Sequence, residues 1–125
     1  MCRNGGVAGF AKVWLVVGIP VAAIAAGSRF IGMELSDLQR TMADTYGEQD
    51  RERGVAATVA WLTEELGELA QAVRKGSPEQ QLHELGDVLA WLASLAEQLG
   101  LSLEEAAARY AGGCPKCGAA PCACD

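Results

Sequence analysis

Apolar residues return at steps of four and three through the middle of the chain: Val55, Val59, Leu62, Leu66, Leu69 and Val73. That period puts them on one helical face and predicts a helix over residues 55–75. Arg74 and Lys75 suit the negative end of the helix dipole, and Gly76 ends the helix. The next helix starts at once. Ser77 is a good N-cap, Pro78 fits the first helical position, and Gln80 completes a capping box. Leu82, Leu85, Val88, Leu89, Leu92, Leu95 and Leu99 form its apolar stripe, and Gly100 closes it. Upstream, Ser36 with Gln39 three residues later predicts a helix start near Ser36, with Leu38, Met42 and Tyr46 spaced for one buried face. Residues 47–54 (GEQDRERG) are polar and read as a loop. Downstream, Ser102 with Glu105 predicts a short helix to about Tyr110, and residues 112–125 carry no helical period.

These elements predict an all-α fold, an antiparallel helical bundle. The tight turn at Gly76 and Ser77 makes the two long helices antiparallel neighbours. A length of 125 residues holds one small domain, and the composition, half hydrophobic with few aromatics, favours helices over a β sandwich.

Residues 1–32 differ from the rest. Residues 13–27 (VWLVVGIPVAAIAAG) form an almost unbroken apolar run, shorter than the ~20 residues a spanning helix needs. Arg3 and Lys12 before it and Ala23-Ile24-Ala25 near its end resemble a signal peptide; a signal anchor is the related alternative. A misassigned start competes, because Met33 opens a natural beginning for a cytosolic helical domain and leaves an even set of four cysteines. The expected organisation is an N-terminal extension over 1–32, a helical domain over 33–111 and a cysteine-rich tail over 112–125. The expected location is the cytoplasm, with membrane anchoring or export only if residues 1–32 are present in the mature protein.

Charge narrows the partners. The net charge is −6, and every acid lies after residue 32. So acidic a domain is unsuited to gripping a nucleic-acid polymer, which needs clustered Lys and Arg. It suits a small phosphate ligand if a dication bridges the two negative partners.

The acids themselves are patterned. Glu65-Leu66-Gly67-Glu68 and Glu84-Leu85-Gly86-Asp87 both read acid, Leu, Gly, acid. Residues three apart share a helix face. Counted from the turn, Glu68 and Glu84 lie about 12 Å along their helices and Glu65 and Asp87 about 16 Å, so the pairs come out level. Both pairs border the apolar stripes. Trp61 and Trp91 also come out level, one turn beyond the outer acids, as candidate platforms for a base. Four carboxylates drawn together repel unless a cation sits among them, and oxygen-only ligands suit Mg²⁺ or Mn²⁺. A charged helix face is ordinarily just solvated; the duplication and matched heights favour a site here. Glu64 points further round the helix, toward solvent or behind the ligands. A di-iron centre would need Glu-x-x-His on two helices. The chain has one histidine, His83, which points away from the acidic strip and reads as a surface residue. No GxxxxGK[ST] phosphate loop is present.

Glu64-Glu65-Leu66-Gly67-Glu68 followed by Glu84-Leu85-Gly86-Asp87 resembles the EExxE…ExxD signature of the MazG-like, all-α nucleoside triphosphate pyrophosphohydrolases. The resemblance covers roughly residues 34–110. It implies Mg²⁺-dependent hydrolysis of a nucleoside triphosphate to the monophosphate and pyrophosphate. It places the metal on Glu65, Glu68, Glu84 and Asp87, and it implies a homodimer or homotetramer, in keeping with too few helices to cover both flanks of each stripe. Glu65 or Glu68 then accepts the proton from the attacking water. Arg74, Lys75 and Arg109 are the candidate phosphate contacts. Relatives carry a basic cluster after the last helix, where this chain has Arg109-Tyr110-Ala111-Gly112-Gly113. The alternative reading is a non-catalytic helical oligomerisation module.

Cys114-Pro115-Lys116-Cys117-Gly118 is a zinc-knuckle half, and Cys122-Ala123-Cys124 adds two thiols at tighter spacing. A structural Cys₄ zinc site, two disulfides or free thiols all fit this spacing.

Overall fold

The computed structural model describes residues 32–124. The expectations for residues 1–31 lie outside the described residues. Four helices follow in order: α1 (Leu35–Arg53), α2 (Val55–Lys75), α3 (Pro78–Gln98) and α4 (Leu103–Ala108). No strand occurs among the described residues, so the architecture is all-α. α3 packs against both α2 and α1, and α4 rests on α1. Among the described residues no helix is long and apolar enough to cross a membrane.

The turn between α2 and α3 forms from local chemistry. The Ser77 N–H donates to Gln80 Oε1 at 2.8 Å, and the Gln80 N–H donates to Ser77 Oγ at 3.3 Å. These two bonds satisfy donors that a helix start would otherwise leave unpaired. Gly76 donates to the Ala72 carbonyl at 2.7 Å, and a Cβ there would lie 2.8 Å from that oxygen. Only glycine allows so close an approach.

α1 departs from expectation at both ends. It begins at Leu35, and Asp37, not Gln39, accepts from the backbone N–H ahead of the helix, that of Glu34, at 3.3 Å. Gln39 instead reaches α4: its Nε2 donates to the Leu101 carbonyl at 2.8 Å, and its Oε1 accepts from Leu103 N–H at 3.0 Å. Residues 47–53 are helical rather than looped, so a single residue, Gly54 (φ 81°), separates α1 from α2. The polar run folds as helix because its inward positions, Gly47 and Asp50, are buried, with Asp50 paired to Arg53.

Burial also differs from the periodicity. Among the described residues the buried side chains are mostly small or polar: Ala72, Ala93, Ala96, Thr58 and Ser94, with Trp91, Asp50 and Glu65. Gln98 Nε2 donates to Thr58 Oγ1 at 2.7 Å, tying the end of α3 to the start of α2. In the two stripes Leu62, Leu69, Val88 and Leu95 are half-buried, but the other large aliphatics remain exposed, Val73 at 63% and Leu82 at 55% among them. Glu65, Glu84 and Asp87 turn inward instead, which leaves much of each leucine row facing out.

Candidate metal centre

The antiparallel pairing of α2 and α3 brings acids from both helices to one place. Glu65, Glu84 and Asp87 each offer a carboxylate oxygen, and these oxygens lie within 4.8 Å of one another. Glu65 is 6% exposed; Glu84 and Asp87 are half-buried. Three like charges this close are mutually unfavourable, and a cation among them reverses the sign. The donors are all hard oxygens, which fits Mg²⁺ or Mn²⁺.

The tryptophans brace this group. Trp91 Nε1–H donates to Glu65 Oε1 at 3.1 Å, a buried bond that orients the carboxylate. Trp61 stacks on Trp91 with ring centroids 5.9 Å apart and planes 14° from parallel. Trp91 is 3% exposed, and Trp61 is half-buried, the more accessible ring of the two.

The other expected residues divide. Glu68 and Glu64 are exposed, and Glu68 stays outside the trio. Three residues advance a helix by about 300°, which sets Glu68 about 60° round from the inward-pointing Glu65. Lys75 is exposed at the end of α2, about 15 Å along the axis from Glu65. Arg109 is exposed, with its guanidinium carbon 5.3 Å from the Tyr110 ring centroid. His83 differs from expectation. It is exposed, but its Nε2 lies 3.5 Å from Asp87 Oδ2, one turn along α3.

Arg53 went unforeseen. Its guanidinium carbon sits 4.8 Å from the Trp91 ring centroid while the group pairs with the buried Asp50. The signal was the Asp50-x-x-Arg53 spacing, which carries meaning only once residues 47–53 are read as helix.

A second group gathers in the tail. One Sγ each from Cys114, Cys117, Cys122 and Cys124 lies within 4.8 Å of the other three. The backbone N–H groups of Ala119 and Ala123 hold the Cys117 thiol down to about 6, whereas the thiols of Cys122, Cys117 and Cys114 push Cys124 up to about 11.

The profile described as MazG nucleotide pyrophosphohydrolase domain matches residues 53–112, which include Arg53 and all three clustered acids. The chain is also 33% identical over 90 residues to "Uncharacterized protein YvdC" of Bacillus subtilis (strain 168), an alignment covering 58% of this chain and 85% of that protein.

Proposed function

Because the chain belongs to the MazG nucleotide pyrophosphohydrolase domain family, we propose that it hydrolyses a nucleoside triphosphate to the monophosphate and pyrophosphate, with Mg²⁺ or Mn²⁺ held by Glu65, Glu84 and Asp87. The observation that carries this reading is the convergence of those three carboxylates from two helices beside a tryptophan pair. When bound, the dication polarises a phosphate and lowers the pKa of water.

The chain's own residues do the rest. Trp91 fixes the rotamer of Glu65, so that carboxylate meets the cation without reorganising. The exposed Glu68, three residues along α2 from Glu65, is the acid that accepts the proton of the attacking water. Trp61 presents its face to the base. Arg53 supplies positive charge beside the ring pair, favourable for a polyanion. The exposed leucine rows are covered by further copies of the chain, in a homodimer or homotetramer.

The test is a nucleotide panel: full chain, Mg²⁺, and pyrophosphate release as the readout. Release from at least one triphosphate, abolished by chelation and restored by Mg²⁺, is expected. No release from any nucleotide by a folded chain would favour the non-catalytic oligomerisation module.

Trp91→Phe isolates the hydrogen bond to Glu65, since it keeps an aromatic ring and removes the N–H. Losing a partner that orients a metal ligand costs about 10–100-fold in metal affinity or activity. The variant is therefore expected to require about 10–100-fold more Mg²⁺ for half-maximal turnover. A magnesium titration that superimposes on the wild type would show that the bond does not tune the site.

A further inference from the structure

We propose that Cys114, Cys117, Cys122 and Cys124 form a second metal centre, a tetrahedral structural site for Zn²⁺, separate in place and chemistry from the carboxylates. The four Sγ atoms lie mutually within 4.8 Å. Two of the separations are 3.7 Å (Cys114 to Cys124) and 3.8 Å (Cys117 to Cys122). A Zn–S distance of about 2.3 Å sets the edge of a thiolate tetrahedron at about 3.8 Å. A disulfide would instead bring a pair to about 2.05 Å. The sulfurs are therefore spaced as ligands of one ion, and not as two bonded pairs.

The backbone supports the same reading. Cys114 N–H donates to the Ala119 carbonyl at 3.0 Å, and Gly118 N–H donates to the Cys114 carbonyl at 2.7 Å. These bonds fold Cys114 to Gly118 into a compact knuckle. Gly118 (φ 71°) and Gly113 (φ 109°) take left-handed conformations that favour glycine, and a Cβ on Gly113 would lie 3.0 Å from the Ala119 oxygen. From the second half, Ala123 N–H points at Cys117 Sγ at 3.4 Å and Cys124 N–H at Cys122 Sγ at 3.4 Å. Such N–H donors stabilise sulfur that carries negative charge.

No side chain between residues 109 and 124 is buried, so apolar packing cannot account for this geometry. Ordering those residues costs conformational entropy with no hydrophobic return. A bound ion at the centre of the four sulfurs supplies the missing free energy. Soft thiolates select Zn²⁺ over Mg²⁺, whereas the oxygen trio is a donor set that suits Mg²⁺ or Mn²⁺, so the two centres differ in the metal they favour. Four protein ligands leave no open position, which makes the centre structural rather than catalytic. It lies beyond residues 53–112, and its role is to fold the segment that follows α4.

Metal analysis of the full chain purified under reducing conditions tests this. About one zinc per chain is expected, released by a thiol-blocking mercurial. Co²⁺ exchange should give the charge-transfer and d–d bands of a tetrahedral thiolate site. Cys117→Ser with Cys122→Ser should lower the zinc content below about a tenth of that. Glu84→Gln should leave zinc unchanged whether or not the chain is an enzyme, which separates this result from the nucleotide panel. Bound iron in place of zinc, two disulfides found by mass spectrometry, or a reduced chain that takes up neither Zn²⁺ nor Co²⁺ would overturn the assignment.

Discussion

Asp87→Asn is expected to reduce pyrophosphate release by on the order of a thousandfold, because removing a ligand should exceed the ~10–100-fold cost of losing a partner that only orients one. Circular dichroism should show the same helix content. The carboxamide is isosteric, and Asp87 is half-buried on a helix whose caps lie elsewhere. Stability should separate a metal centre from a merely structural cluster. Without a dication, each pair of like charges in the trio costs between about 1 and 3 kcal/mol, nearer the lower figure for the half-exposed acids. Metal-free Asp87→Asn should therefore melt at or above the wild-type temperature. Mg²⁺ at about a hundred times its dissociation constant should stabilise the wild type by about 2.7 kcal/mol. That is a rise of roughly 10–20 °C for a domain of this size, and the variant should not show it. Full turnover in Asp87→Asn, or an equal Mg²⁺ response in both proteins, would remove the trio as the metal centre.

What could be read from the sequence follows the range of the interactions concerned. α2, α3 and their turn came from spacing and capping residues, because Ser77, Pro78, Gln80 and Gly76 act within one helical turn of themselves. The meeting of Glu65 with Glu84 and Asp87 followed from counting residues outward from that turn. The stacked level of Trp61 and Trp91 followed from the same count. Features that depend on a third element did not emerge. Residues 47–53 look like a loop in isolation and are held helical by the burial of Gly47 and Asp50. Arg53 reaches Trp91 only because that helix continues. The bond from Trp91 to Glu65, and the approach of His83 to Asp87, depend on rotamers that spacing leaves open. Glu68 was grouped with its neighbours by face, yet 60° of helical rotation separates an inward acid from an exposed one.

The leucine rows mark where the same limit has its largest consequence. Periodicity identifies an apolar face without saying what covers it, and among the described residues nothing covers Leu82, Leu85 or Leu89 adequately. Among the described residues the buried hydrophobic side chains are Trp91 and three alanines, a small core for a helical domain of this length. Fully burying a leucine contributes about 1.5–3 kcal/mol, so a half-exposed one leaves about 1 kcal/mol unrealised. Over a row on two helices this reaches several kcal/mol, comparable to the 5–15 kcal/mol that a whole domain typically has. The full chain is therefore expected to be a dimer or tetramer by light scattering, with a melting temperature that rises with protein concentration. Leu89→Glu places a charge in the middle of the α3 row. It should shift the mass to that of one chain and lower the melting temperature sharply, because the charge would have to be buried unpaired to keep the assembly. Tyr110→Glu is the control, since Tyr110 is also an exposed large hydrophobic but lies outside the rows. A wild type that is monomeric at every concentration, or a Leu89→Glu protein of unchanged mass, would mean that the rows are not an interface between copies. If the assembly dissociates as expected, pyrophosphate release should fall with it, because Glu65, Glu84 and Asp87 stand on the same two helices whose outward faces a partner copy would cover.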